Sequence, residues 1–294
     1  MDADRSSSLG VIRSELHEAN RLSWNAATVA HNRHKPGQAA FLAAGGSTLF
    51  SEEISLLGKV KGKSVLHLLC NSGQDTLSIA ALGAQVTGVD ISDEAIDFAR
   101  RLSAESGIAA TFERSDVYPW LEKAVSEGLR FDTVFCSYGA LCWLSDLWRF
   151  LLGVSNVLEP GGRFVCIEFH PVAMIFDEQG EPKYRYRMNE PLVWDDGIRD
   201  YVGESCGGLT PSGPAATTGP FLNPHPCYEF QRGLGDILGT LANSGLILRE
   251  FDEYEYTNGW KPFAEMKSVS GRRWAMADGK PSIPLMYSLI AEKS

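Results

Sequence analysis

The chain lacks several features that would assign it to a class at once. None of its apolar runs reaches the roughly 18 residues that a membrane-spanning helix needs, and the opening MDADRSSSLG has no apolar segment of a secretory leader. Lys and Arg never cluster beyond pairs such as Arg272-Arg273, and the formal net charge is -10. Nucleic-acid binding needs clustered cations to displace counterions from phosphates, so a large nucleic-acid footprint is excluded. The six cysteines include no C-x-x-C pair, and three lie in or beside apolar strand-like runs, as reduced packing residues do. These absences leave a cytoplasmic protein with a small-molecule partner, no nucleic acid and no membrane; a homodimer stays open.

What is present is ordinary globular material: 294 residues, 44% hydrophobic and 22% charged. That length suits one large α/β domain with additions. From Ser64 onward short β-branched runs, SVLHLL, QVTGVD, AATFERSD, FDTVFCSY and RFVCIEF, alternate with amphipathic stretches. Parallel neighbours need long crossover connections, so this alternation predicts a parallel sheet with helices on both faces. Ser92 is placed to cap the helix DEAIDFARRL, and EPGG at 159 to 162 ends another.

The flanks read differently. Residues 1–60 are helical in pattern and form a lid ahead of the first strand; 61–170 form the core. Residues 171–230 break the alternation with Pro, Gly, Tyr and acidic residues and read as an inserted cap, too long for an idle loop. Residues 231–294 complete the core, with LGDILGTLANSGL as a helix and ILREFDEYEY and LMYSLIAEK as two antiparallel strands.

Ligands of open α/β sheets sit at the carboxyl ends of the strands. The first strand ends in LLCNSGQD, without the G-x-G-x-x-G that lets a backbone approach a pyrophosphate, which disfavours a nicotinamide dinucleotide and an oxidoreductase. Asn71 and Gly73 both tolerate positive φ, so a tight turn remains feasible. The second strand places Asp90 at its tip, where a carboxylate can accept both hydroxyls of a ribose. The third places Asp116 where it could accept from an adenine amino group, although a helix cap is the competing role.

Together, VLHLLCNSGQDTLSIAALGAQVTGVDISDEAIDFAR, SDVY, FDTVFCSYGALCWLSD and VLEPGGRFV resemble class I S-adenosylmethionine-dependent methyltransferases of the small-molecule type. The resemblance covers about residues 60–170 and implies a Rossmann-like seven-stranded sheet with a reversed C-terminal hairpin. It also implies S-adenosylmethionine across the strand tips. Residue by residue it puts Leu69, Cys70, Asn71, Ser72 and Gly73 under the methionine portion and Asp90 on the ribose. Ile91 falls beside the adenine, Asp116 and Val117 at the adenine, and Ser137, Tyr138 and Gly139 near the reacting centre. The sequence departs from the family at His67, where an acid is frequent, and at Leu69 and Asn71, where glycines are. A single nucleoside without pyrophosphate does not demand three glycines.

Methyl transfer from a sulfonium needs in-line alignment, and a base only where the acceptor arrives protonated. His170, in EFHP at the tip of the fifth strand, is the candidate base, or else it orients the loop; Tyr138 is the second catalytic candidate. Glu168 has no assigned role. Trp143, Tyr184, Tyr186 and Trp260 are candidate acceptor-wall residues, each equally readable as core. Trp24, Asn25 and His31 fall in the lid over the cofactor. His31-x-x-His34 has helical metal spacing but no third ligand, so no metal is expected. These readings predict methyl transfer to nitrogen or oxygen of a metabolite, the alternative being a nucleoside sensor without turnover.

Overall fold

The computed structural model describes residues 11–213 and 220–294; the N-terminal decapeptide and 214–219 of the Pro/Gly-rich stretch lie outside them. Three helices come first: α1 (Ser14–Arg33), α2 (Gln38–Ala43) and α3 (Ser51–Leu57). Strands and helices then alternate as β1 (Ser64–Leu68), α4 (Gln74–Ala81), β2 (Gln85–Asp90), α5 (Asp93–Ser106), β3 (Thr111–Arg114), α6 (Val117–Ser126), β4 (Phe131–Ser137), α7 (Leu147–Val157) and β5 (Leu158–Phe169). The insertion holds β6 (Leu192–Trp194), α8 (Tyr201–Glu204) and β7 (Cys227–Glu229). The chain closes with α9 (Leu234–Ala242), β8 (Leu246–Tyr254), β9 (Tyr256–Asn258), β10 (Met266–Val269), β11 (Arg273–Met276) and β12 (Met286–Lys293).

Seven strands form one sheet in the order β3-β2-β1-β4-β5-β12-β8. The pairs from β3 to β5 are all parallel, whereas β12 runs antiparallel to both β5 and β8. This is the Rossmann-like seven-stranded sheet that the resemblance implies, with the strand order reversing beside β1. Alternation along each strand fills both faces. Leu66 and Leu68 of β1 join Val134 and Cys136 of β4 under α6 and α7, while Val65, Phe135, Val165 and Ile167 face α3 and α4. Each such fully buried aliphatic side chain contributes about 1.5–3 kcal/mol.

Local signals set the helix ends. Ser92 Oγ accepts the Ala95 N–H at 3.1 Å, capping α5 as its sequence predicts. Gly73 precedes α4 at φ +75°, and a Cβ there would lie 2.6 Å from Ala99 Cβ and 2.7 Å from the Phe112 ring. Glycine is required at this turn for both backbone conformation and the close approach of α5. All six cysteines are free thiols. Among the described residues no helix is long and apolar enough to cross a membrane.

Two features differ from the expected pattern. ILREFDEYEY does not form one strand: pairing with β12 stops at Tyr254, and the chain then enters a separate three-stranded sheet, β10-β11-β9. Its strands of three or four residues are too short to give a periodic signal. The insertion forms an antiparallel ribbon, β6 against β7, docked on α1. Asn20 donates to the Tyr228 carbonyl at 2.9 Å and accepts its N–H at 2.7 Å. Ser23 Oγ accepts the Ile198 N–H and donates to the His225 carbonyl, both at 3.0 Å.

Replacing Gly73 by alanine combines positive-φ strain with overpacking, and is expected to destabilise the fold by roughly 2–4 kcal/mol. Urea unfolding of Gly73→Ala beside the parent measures it; a loss below about 0.5 kcal/mol would contradict the packing described.

Candidate functional site

A cavity of about 380 Å³ lies over the carboxyl ends of β1 to β5, roofed by α1, α2, α8, β7 and the small sheet. Its wall is mainly apolar, with a few polar groups, the usual composition of a small-molecule site. Four of the five non-glycine residues with positive φ among the described residues line it: Leu69 (55°), Asn71 (48°), Tyr138 (32°) and Arg272 (62°). Such conformations cost about 1–3 kcal/mol each and persist where the surroundings over-determine them.

At the floor, the turn after β1 is tied to the tip of β2. Asn71 Oδ1 accepts the Ser72 N–H at 2.6 Å, and the Asn71 N–H donates to Asp90 Oδ2 at 2.8 Å. Ser92 N–H donates to the other oxygen at 2.9 Å. Burial outweighs these donors and raises the Asp90 carboxyl to about 6. Asp90 lines the cavity, and its two oxygens retain accepting capacity beyond these backbone bonds. Leu69, Cys70 and Ile91 line the cavity beside it; Gly73 does not, acting instead behind the turn.

Asp116 also lines the cavity, but its carboxylate is engaged. One oxygen caps α6 through the Tyr118 N–H at 3.1 Å, and the other meets His17 Nδ1 at 2.7 Å. The His17 ring stacks on Tyr118 at 5.4 Å. Val117 follows at the wall.

The loop after β4 is held by Glu168. Its buried carboxylate accepts the N–H groups of Gly139 (2.6 Å), Ala140 (2.6 Å), Leu141 (2.8 Å) and Phe169 (3.1 Å). Burial raises this carboxyl and the four donors work against the shift. That fixes Ser137 and Tyr138 at the cavity wall. The Tyr138 hydroxyl accepts from Asn258 Nδ2 at 2.7 Å, which leaves its own proton to donate. Burial pushes the phenol well above its ordinary range, so it stays protonated.

Several sequence candidates sit elsewhere. His170 does not line the cavity, because alternation along β5 turns Phe169 inward and His170 toward β8. Its Nδ1 accepts the Val172 N–H at 3.1 Å and its Nε2 lies 2.9 Å from Glu253 Oε1. Nδ1 is taken up by the loop backbone and Nε2 faces Glu253, so the ring is placed away from the cavity. His31 is buried beneath Trp24 and Tyr201, bonded to the Arg199 carbonyl at 2.8 Å, and burial lowers it to about 4. Tyr184 packs on Trp194, and the Tyr186 hydroxyl accepts the Leu234 N–H; neither reaches the cavity. Asn25 binds Ser92 Oγ and Asp93 rather than the cavity. Trp24, Trp143 and Trp260 do line it. Among the described residues no group of three or more His, Cys, Asp or Glu side chains is placed to hold a metal.

The lining also includes His17, Lys35, Gln38, Glu229, Asn258 and Arg272, which sequence reasoning missed. Burial lowers the Lys35 ammonium to about 8, with Asp75 opposing that shift. Gln38 accepts from Gln74 at 2.8 Å while its buried Nε2 has no partner. These side chains come from the lid, the insertion and the small sheet near the C-terminus, and their only sequence signal is the Pro36-Gly37 turn that sets α2 against α1.

Replacing Glu168 by alanine leaves four backbone N–H groups unpaired, and is expected to cost roughly 3 kcal/mol and to raise amide exchange at 139–141. Hydrogen-exchange mass spectrometry reads this directly; unchanged protection there would contradict the role of Glu168.

Residues 65–162 match a family model described as a methyltransferase domain. The demethylmenaquinone methyltransferase of Tropheryma whipplei (strain Twist) is 36% identical over 159 residues, 51% of this chain and 61% of the relative. A ubiquinone biosynthesis O-methyltransferase of Xanthomonas euvesicatoria pv. vesicatoria is 32% identical over 112 residues, 38% of this chain and 45% of the relative. The chain thus spans less than two thirds of either relative. Among solved structures, an S-adenosylmethionine-dependent methyltransferase from Mesorhizobium loti shares the fold at a TM-score of 0.53 and 21% identity, over 85% of this chain and 99% of that one. One from Clostridium acetobutylicum does so at 0.52 and 13%, over 87% and 90%. Residues 65–162 thus match a methyltransferase domain, and the chain shares the fold of S-adenosylmethionine-dependent methyltransferases.

Proposed function

We propose that this chain transfers the methyl group of S-adenosylmethionine to a nitrogen or oxygen atom of a small-molecule metabolite, by in-line displacement. The observation that carries the proposal is Asp90, a carboxylate at the tip of β2 that lines the cavity, is oriented by backbone N–H groups and retains lone pairs. Those lone pairs suit the two hydroxyls of a ribose. The unpartnered Nε2 of Gln38 and the ammonium of Lys35 suit the carboxylate of a methionine tail. Ile91, Val117 and Leu69 offer apolar contact, and Asp116, already held by His17, accepts at the adenine edge.

S-adenosylmethionine supplies the electrophilic methyl group; the chain's work is alignment, worth up to roughly 7–11 kcal/mol. Asp90 and the β1 turn hold the nucleoside, while Trp24, Trp143 and Trp260 exclude water and wall the acceptor. Tyr138, anchored by Asn258, donates a hydrogen bond into the cavity and orients the acceptor. The relatives' names support a small-molecule acceptor, and one names transfer to oxygen.

Replacing Asp90 by alanine is expected to weaken S-adenosylhomocysteine binding by at least about tenfold, a change of about 1.4 kcal/mol. Undiminished affinity in calorimetry would remove the ribose assignment. Asp90 titrates about 6 without ligand, above the ordinary 3.8. The sign follows: above about pH 6 the ionised carboxylate costs the free protein stability, and that cost is relieved as pH falls toward 4. Ribose hydroxyls donate more strongly to the ionised form, so affinity is expected to fall as pH drops below about 6, a trend that Asp90→Asn abolishes. For turnover, transfer of labelled methyl to a panel of phenols and amines tests the activity itself. Tyr138→Phe is expected to lower kcat by about tenfold or more with S-adenosylhomocysteine affinity unchanged; an equal loss in both would sink the orienting role.

A further inference from the structure

We infer that the acceptor carries a cationic amine, its ammonium group held by Glu229 against the indoles of Trp24 and Trp143, while a separate nitrogen or oxygen of the same molecule, bearing a lone pair, takes the methyl group. The inference rests on the methyltransferase reading above and names the substrate class of that site.

Four carboxylates line the cavity: Asp75, Asp90, Asp116 and Glu229. Three have partners that account for them. Asp90 is held by two backbone N–H groups, Asp116 by His17 and the α6 cap, and Asp75 by the Thr48 hydroxyl with Lys35 nearby. Glu229 stands apart. Burial raises its carboxyl, the Trp194 indole N–H is the one side chain opposing the shift, and no cation among the described residues acts on it. A carboxylate taken out of water without a counter-charge is costly, so a ligand that brings one is favoured.

Its placement says where that ligand sits. Glu229 ends β7, and residues two apart on a strand share a face. It therefore lies on the face of Cys227, which packs among Trp24, Trp143, Trp194 and Tyr201. Trp24 and Trp143 meet edge to face, centroids 5.4 Å apart and planes at 77°, and both line the cavity. Indole faces beside a carboxylate suit an ammonium group. The next residue, Phe230, donates its N–H to the Cys142 carbonyl at 2.7 Å, fixing β7 to the loop that carries Tyr138 and Gly139. Glu229 is thus held beside the loop on which the acceptor is aligned.

The cofactor's own sulfonium is the competing cation. Its charge is lost as the methyl leaves, so a carboxylate spent on it would stabilise the ground state more than the transition state. An acceptor ammonium places Glu229 where binding is gained without that penalty.

The test titrates full-length protein saturated with S-adenosylhomocysteine with benzyltrimethylammonium, whose charge is permanent, and with benzenesulfonate. The cation is expected to bind at least about tenfold more tightly than the sulfonate. Glu229→Gln is expected to weaken the cation about tenfold, with S-adenosylmethionine and S-adenosylhomocysteine affinities within about twofold of the parent. Absence of cation binding, equal binding by Glu229→Gln, or a variant that weakens S-adenosylmethionine but not S-adenosylhomocysteine each overturns the inference, the last by assigning the carboxylate to the sulfonium. Failure of the parent to bind S-adenosylhomocysteine at all instead overturns the underlying reading, and this inference with it. If Glu229→Gln does not fold, the parent's preference between cation and sulfonate decides alone.

Discussion

The carboxylate of Asp90 joins the two strand tips on which the cavity floor is built. A turn made of Leu69, Asn71 and Gly73, all at positive φ, would not hold its shape by local preference. Asn71 turns its N–H onto Asp90, Ser92 closes from the other side, and the loops after β1 and β2 become one surface. Hydrogen bonds to a charged group contribute about 1.5–3 kcal/mol each, enough to offset strain of the size such residues carry. Glu168 repeats the device at the next tip along, with four backbone donors on one carboxylate.

The roof depends on α1, whose buried face is polar. His17 reaches Asp116, Asn20 and Ser23 hold the insertion, His31 bonds the Arg199 carbonyl and His34 pairs with Asp200 at 2.6 Å. One helix thereby connects the third strand's tip to the ribbon of the insertion. Its contacts are directional rather than merely apolar, so cofactor and acceptor walls are registered to each other. Water exclusion follows from the same stitching, because Trp24 lies on that face between His17 and His31.

How much of this was legible in the sequence follows from the range of the interactions. Alternation of β-branched runs and amphipathic stretches is local, so the parallel strands, their tips and the closing antiparallel pair could be read, and with them the placement of Asp90, Ile91, Val117 and Tyr138 at the cavity wall. Residues that reach the cavity through tertiary docking could not: Glu229, Asn258 and Gln38 carry no periodic signal. His170 shows the other limit. A strand tip was correctly located, but period-two alternation puts neighbouring side chains on opposite faces, and it was Phe169 that turned inward. Gly73 and His31 act one layer behind the residues that line the cavity, a distinction that residue type does not encode.

The central claim is that a single nucleoside bearing a sulfur tail, rather than a dinucleotide, fills the cavity over Asp90. Parallel calorimetric titrations with S-adenosylmethionine, S-adenosylhomocysteine and NADH test it most directly. The account predicts heat of binding for the two sulfur nucleosides and none for NADH; binding of NADH alone would contradict it.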